Sequence, residues 1–124
     1  MDQAKEIAIY LADLLDEKQA ADIVILDVEA LVGYTSYFVI ASGRSERHVQ
    51  ALADHLRRVA RTDSGVRPIG QEGLEHGRWA LLDYGDAVAH IFHDDERHLY
   101  DLESLWEDAP RLEWPAVMVE ESTG

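Results

Sequence analysis

The stretch from Gly33 to Ala53 constrains the fold of this chain more than any other part of it. Tyr37 to Ala41 is an uninterrupted apolar run, rich in aromatic and β-branched residues, which predicts a strand buried on both faces. Ser42 to Ser45 then combine turn chemistry with a helix-capping side chain. Apolar residues follow at three- and four-residue spacing and predict an amphipathic helix: Val49, Leu52, Ala53, Leu56, Val59 and Ala60.

A helix and a strand are predicted before that stretch. Asp2 can cap the helix, which runs to about Lys18. Its apolar residues form one stripe, as in a helix that lies on a sheet: Ile7, Tyr10, Leu11, Leu14 and Leu15. The strand covers Ile23 to Val28, and a connector, Ala30 to Ser36, leads into the central run.

A β-hairpin is the strongest local pattern after the central helix, which Gly65 ends. Two apolar runs, Trp79 to Tyr84 and Ala87 to Phe92, flank the loop Gly85-Asp86, which has glycine first, as a type II′ turn requires. A short edge strand is predicted earlier, at Val66 to Ile69.

A last helix and a tail complete the chain. Asp94 or Asp95 can cap this helix, and its apolar side is expected to pack in the core: Leu99, Leu102, Leu105 and Trp106. Pro110 and Pro115 end regular structure. The order of elements predicts an α/β (α+β) domain over residues 1–112, with a mixed four- to five-stranded sheet covered by about three helices. Residues 113–124 are predicted to be a flexible tail.

The charge of the chain limits its partners. Its 25 acidic and 11 basic side chains give a net charge of −14, which disfavours direct binding of nucleic acid. This charge either favours basic partners or serves only to keep the protein soluble. No segment approaches the roughly 20 apolar residues of a membrane span, and the acidic N-terminus does not resemble a signal peptide. Because cysteine is absent, disulfides and thiolate catalysis are excluded, and a cytoplasmic location is expected.

Two enzyme classes could use a glycine turn of this kind. Gly43 to Arg47 resembles half of a Ser-hydrolase nucleophile elbow, but Arg47 occupies the position of the second glycine, so Ser45 is predicted to cap the helix instead. A nucleotidyltransferase would need carboxylates that hold magnesium. Asp27 and Glu29 would share a face at a strand end; they precede the glycine turn, whereas in that superfamily the metal-binding pair follows it. This enzyme remains the alternative function.

The histidines do not predict a metal site. His90 and His93, three apart across a strand end, point to opposite faces. His48 and His55 share a helix face but lie about 10 Å apart by helical rise, too far for one ion. We therefore expect no metal and no cofactor.

Several separated blocks resemble the ribosomal silencing factor family, also called Iojap-like proteins. The blocks are residues 36–54, Glu72-Gly73, residues 79–92 and residues 96–110, and the resemblance covers roughly Ala4 to Ala109. One departure is Ser36, where the family more often has aspartate, so the resemblance does not imply an acidic role at this position.

This resemblance implies a non-catalytic factor with a fold like that of a nucleotidyltransferase without its catalytic carboxylates. Members of the family bind large-subunit ribosomal protein fourteen, on the face of the 50S subunit that meets the small subunit. They thereby hinder subunit joining and repress translation. The resemblance also implies that the protein forms a homodimer when it is free.

The hairpin is the predicted partner-binding surface. Alternation places Trp79, Leu81 and Asp83 on one face and Ala80, Leu82 and Tyr84 on the other. One face must meet helices, and the other can present an aromatic anchor beside carboxylates that suit arginines of a basic partner. Core packing of Trp79 and Tyr84 is the alternative. The predicted contact residues are Trp79, Leu81, Asp83, Tyr84, Asp86 and His90.

Overall fold

The central apolar run forms an interior strand of a six-stranded sheet. The computed structural model describes residues 3–100 and 107–115, with the side chains of all of these except 98–100. In it, β2 spans Tyr37–Gly43, and each of its residues is buried. β2 pairs antiparallel with β1 (Ala21–Asp27) and parallel with β5 (Ala87–His93). Neighbours on both sides and helices above and below explain why its sequence is apolar throughout.

Three shorter strands complete the sheet. β4 (Trp79–Asp83) forms the predicted hairpin with β5, and β3 (Gly70–Glu72) is the edge strand beyond it. β6 (Arg111–Leu112) pairs with β1 at the other edge. The order is β3-β4-β5-β2-β1-β6. The predicted fold class is confirmed, but the sheet has six strands rather than four or five, because β6 is too short to leave an alternating pattern.

Two long helices cover one face of the sheet, called here the first face. α1 (Gln3–Glu17) and α3 (Glu46–Ser64) bury their apolar stripes against it. Ser45 caps α3 as predicted, since its Oγ accepts a hydrogen bond from the His48 N–H at 3.0 Å. Gly65, with φ +69°, ends the helix, and its N–H donates to the Arg61 carbonyl. Asp2, the predicted cap of α1, lies outside the described residues.

Shorter elements lie on the opposite face, called the second face. α4 (Asp94–Tyr100) contacts β2 and β5, and the buried Arg97 donates a hydrogen bond to the Ser42 Oγ at 2.9 Å. The buried apolar residues of this face are Leu26, Val28, Phe38, Ile40, Val88, Phe92 and Ala109. Three residues of the predicted apolar side of the last helix, Leu102, Leu105 and Trp106, lie outside the described residues, as do residues 116–124 of the predicted tail. The Leu99 side chain is also not described.

Three local predictions were wrong. The connector contains a four-residue helix, α2 (Glu29–Val32), which is too short to produce a periodic pattern. The edge strand is Gly70–Glu72 rather than Val66–Ile69, because Pro68 has no N–H to donate to a ladder. β1 begins at Ala21 and ends at Asp27, one residue before the predicted end. Within the described residues, no helix is both long and apolar enough to cross a membrane.

Candidate partner-binding site

The alternation of β4 places the predicted contact residues on two different faces. Trp79, Leu81 and Asp83 are half-buried, and the first two pack against the core of the second face. Tyr84 is only 7% exposed and packs on the first face, among residues covered by α1 and α3. Burial raises the pKa of the Tyr84 phenol to about 12. The structure therefore brings Trp79, Leu81 and Asp83 together and separates Tyr84 from them.

A row of rings crosses the second face from β4 to the start of β2. We call it the aromatic strip, and its members are Trp79, Phe92, His90, Phe38 and Tyr34. The Trp79 ring stacks on Phe92 with centroids 4.8 Å apart, and Phe38 meets the His90 ring edge-on at 4.7 Å. Tyr34 continues the row at 6.4 Å from Phe38. The buried rings thus support two more accessible ones, Trp79 and Tyr34, from below.

The imidazole of His90 is fixed by Trp79. The indole Nε1–H donates to His90 Nδ1 at 3.2 Å, so the proton of the neutral imidazole is on Nε2. Burial lowers the pKa of His90 to about 4. Protonation of His90 Nδ1 would also break this hydrogen bond, because the Nδ1–H would then point at the Trp79 Nε1–H. His90 is 5% exposed, and its Nε2 has no hydrogen-bond partner among the described residues.

We expect His90 to make the domain less stable in mild acid. Between about pH 6.5 and pH 4 the unfolded chain binds a proton that the folded chain excludes, so the free energy of unfolding falls as the pH falls through this window. The shift from 6.5 to about 4 corresponds to a loss of about 2 kcal/mol between pH 7 and pH 5. Urea unfolding of wild type and His90→Gln at both pH values measures this loss. An equal loss in the two proteins would contradict the assignment.

The two acidic residues of the hairpin lie at its turn and have different environments. Asp83 Oδ1 accepts a hydrogen bond from the Gly85 N–H at 2.8 Å, so Asp83 also stabilises the turn. The Asp86 side chain is exposed, while the Asp86 backbone carbonyl accepts N–H groups from Ser36 and Tyr37, each at 3.2 Å. These bonds fix the turn beside the start of β2. The carboxylates therefore lie at the end of the sheet where Tyr34 extends the aromatic strip.

Sequence reasoning missed the accessible ring at one end of this surface, Tyr34, and a second exposed hydrophobic residue, Leu31. Tyr34 is 65% exposed, and Leu31, which lies in α2, is 45% exposed. In the described part of the chain, the other exposed large hydrophobic residue is Ile69, which lies elsewhere in the sequence. Tyr34 and Leu31 precede β2, in a segment that the sequence predicts to be a simple connector. The signal that could have found them is an aromatic residue, Tyr34, between Gly33 and the polar pair Thr35-Ser36, where core packing is not expected.

The acidic pair of the alternative function has a different geometry from the predicted one. The prediction that Asp27 and Glu29 share a strand face was wrong, because β1 ends at Asp27 and Glu29 begins α2. Asp27 Oδ1 accepts a hydrogen bond from the Glu29 N–H at 3.3 Å, which is a local side-chain-to-backbone contact at the start of α2. In the described part of the chain, no three histidine or acidic side chains are grouped so that they could hold a metal ion.

Comparisons with known proteins identify the family. The model of the family described as ribosomal silencing factor during starvation matches residues 1–123. The ribosomal silencing factor of Bacillus subtilis is 42% identical over 106 residues, which cover 86% of this chain and 89% of that protein. The mouse protein named mitochondrial assembly of ribosomal large subunit protein 1 is 36% identical over 101 residues, which cover 77% of this chain and 43% of that protein.

A solved structure agrees with this assignment. The crystal structure of a Chromobacterium violaceum protein superimposes with a TM-score of 0.80 at 35% identity, over 86% of this chain and 88% of that one. The match therefore covers most of both chains and does not depend on one short motif. This chain belongs to the ribosomal silencing factor family.

Proposed function

We propose that this protein binds the large ribosomal subunit through large-subunit protein fourteen and represses translation by hindering the joining of the small subunit. The observation that carries the proposal is the aromatic strip, which has an accessible ring at each end, Trp79 and Tyr34, with the carboxylates of the hairpin turn at the Tyr34 end. The names of the relatives support the ribosome as the target, and that of the mouse relative refers to the large subunit. The proposed site of action is the cytoplasm.

The contact is proposed to centre on Trp79 and Tyr34. Aromatic side chains that are already held by neighbours lose little conformational entropy on binding, which favours them as interface anchors. Leu81 adds apolar area between the rings and the sheet edge. His90 supports the Trp79 indole from below, and Tyr84 contributes through the core of the first face rather than by contact.

Charge is proposed to guide the approach. Asp83 and Asp86 suit arginine or lysine side chains of a basic ribosomal protein. The net charge of −14 attracts such a partner and repels neighbouring ribosomal RNA. The bound domain would occupy space that the small subunit needs, so no bond has to be made or broken.

Co-sedimentation with 50S subunits tests the proposal. We expect the purified chain to pellet with 50S subunits equally well with and without a nucleoside triphosphate and magnesium, and less well at high salt. A nucleotidyltransferase-like enzyme would instead bind triphosphate and magnesium and lose turnover when Asp27 and Glu29 are changed. If the chain does not pellet with 50S subunits at low salt, either with or without nucleoside triphosphate and magnesium, the proposal is overturned.

We expect Tyr34→Ala to weaken 50S binding by about fivefold without changing stability. The ring is 65% exposed, so its removal costs little folding free energy, while loss of an interface aromatic costs about 1 kcal/mol or more. Ile69→Ala is the matched control, because Ile69 is 76% exposed and lies beside the edge strand β3. Equal binding by the two variants would remove Tyr34 from the interface.

Self-association is also part of the proposal, because the family resemblance implies a homodimer in the free protein. Sedimentation velocity should then give a mass of twice 14.0 kDa for the isolated chain. A mass of 14.0 kDa at every accessible concentration would contradict the proposed homodimer but not the proposed ribosome binding.

A further inference from the structure

Four arginine side chains surround one open cavity at the far end of α3. The cavity has a volume of about 380 Å³ and lies between the last turns of this helix and the segment that leads into β3. Its lining residues are Arg57, Arg58, Arg61, Arg67, Pro68 and Gln71. Four of the 11 basic side chains of a chain with a net charge of −14 are therefore concentrated around one concave surface.

The arginines are only partly neutralised. Asp54 accepts hydrogen bonds from Arg58 at 2.7 Å and from Arg57 at 3.4 Å. The hydrogen bond from Arg58 is the main cause of a lowered pKa at Asp54, so this carboxyl stays ionised at neutral pH. With the residues that the structure describes, Arg61 and Arg67 make no ion pair and no side-chain hydrogen bond. One carboxylate against four guanidinium groups leaves an excess of three positive charges.

The helix dipole does not account for this cluster. A cation is stabilised near a helix C-terminus only within about the last turn. Arg61 satisfies this condition in α3, which ends at Ser64, whereas Arg57 and Arg58 lie about two turns before that end. Arg67 lies beyond the helix altogether, after the Gly65 cap. Repulsion between like charges at one surface costs free energy, so a bound anion would relieve it.

We propose that this cavity is a binding site for phosphate groups, with a diphosphate as the ligand that fits best. The guanidinium fork matches two oxygens of one phosphate, and several arginines around one cavity can hold adjacent phosphates. A diphosphate group carries several negative charges at neutral pH, opposite in sign to the four arginines that line the cavity. Gln71 supplies a neutral amide donor at its rim. The inference does not depend on the proposed ribosomal function.

Isothermal titration calorimetry of the free full-length chain with pyrophosphate at low ionic strength tests this site by measuring the Kd of the complex. We expect wild type to bind pyrophosphate and the double variant Arg61→Gln, Arg67→Gln to bind it at least about tenfold more weakly. The matched control is Arg44→Gln, Arg47→Gln, which removes the same charge from two exposed arginines at the other end of α3. Its affinity should stay within about twofold of wild type.

Three results would overturn the proposal: no pyrophosphate binding by wild type, equal losses in the two double variants, or citrate binding as tightly as pyrophosphate. Competition then identifies the source of the phosphate. Displacement of pyrophosphate by a short oligouridylate assigns the site to an RNA backbone. Binding that persists in its presence assigns the site to a diffusible diphosphate. Either outcome of the competition is consistent with phosphate binding in the arginine cavity, and the two outcomes differ only in the source of the phosphate.

Discussion

Replacement of Trp79 by alanine is expected to weaken binding to the large subunit by about a hundredfold. The indole stacks on Phe92 at 4.8 Å and donates a hydrogen bond to His90 at 3.2 Å, so it is held in one orientation before a partner arrives. Truncation of such an anchor at the centre of an interface costs about 2–4 kcal/mol. Sedimentation with 50S subunits over a range of protein concentrations measures the change in Kd.

A control must separate this effect from lost stability, because Trp79 is half-buried and its truncation also leaves a gap above Phe92. Leu14→Ala provides it. Leu14 is buried between α1 and the first face, and its truncation costs about 2–5 kcal/mol of folding free energy. At a temperature where both variants remain folded, Leu14→Ala should bind like wild type. A folded Trp79→Ala protein that also binds like wild type would remove the aromatic strip from the interface.

Gly73→Ala is expected to destabilise the domain strongly, with a loss of about 4 kcal/mol. Gly73 has φ +75°, a conformation that costs an L-residue about 1–2 kcal/mol. A Cβ at this position would also collide with the backbone carbonyl oxygen of Trp79. Relief of that collision has to move the first residue of β4, and forced backbone shifts of this kind cost about 1–3 kcal/mol more.

Gly33→Ala separates the two contributions. Gly33 has nearly the same φ, +77°, but a Cβ there would meet no atom within 4 Å. Its substitution should therefore cost only the conformational part, about 1 kcal/mol. Urea unfolding of both variants measures the difference. If they lose the same free energy, the close approach of Gly73 to Trp79 has no energetic consequence.

The sequence predicted those elements whose signal is local. The cap at Ser45 and the glycine stop at Gly65 are side-chain and backbone preferences that act within a few residues, and both were confirmed. The hairpin was confirmed for the same reason, since Gly85 takes the positive φ that its short loop needs. Short elements without such a signal, α2 and β6, were missed.

The face of the hairpin that is available to a partner could not be predicted. Alternation along β4 shows which residues share a face, but not which face meets the helices. That choice is made by α1 and α3, which lie far from the hairpin in the sequence and pack over Ala80, Leu82 and Tyr84. The contribution of Tyr34 was hidden for a similar reason, because only the folded chain places it beside Phe38.

Light scattering of purified 30S and 50S subunits during association most directly tests whether this domain acts by occupying a docking surface. Preincubation of 50S subunits with the wild-type chain should reduce formation of 70S particles in proportion to occupancy, and Trp79→Ala should require about a hundredfold more protein for the same reduction. Undiminished 70S formation at concentrations that saturate the 50S subunit would contradict the proposed mechanism.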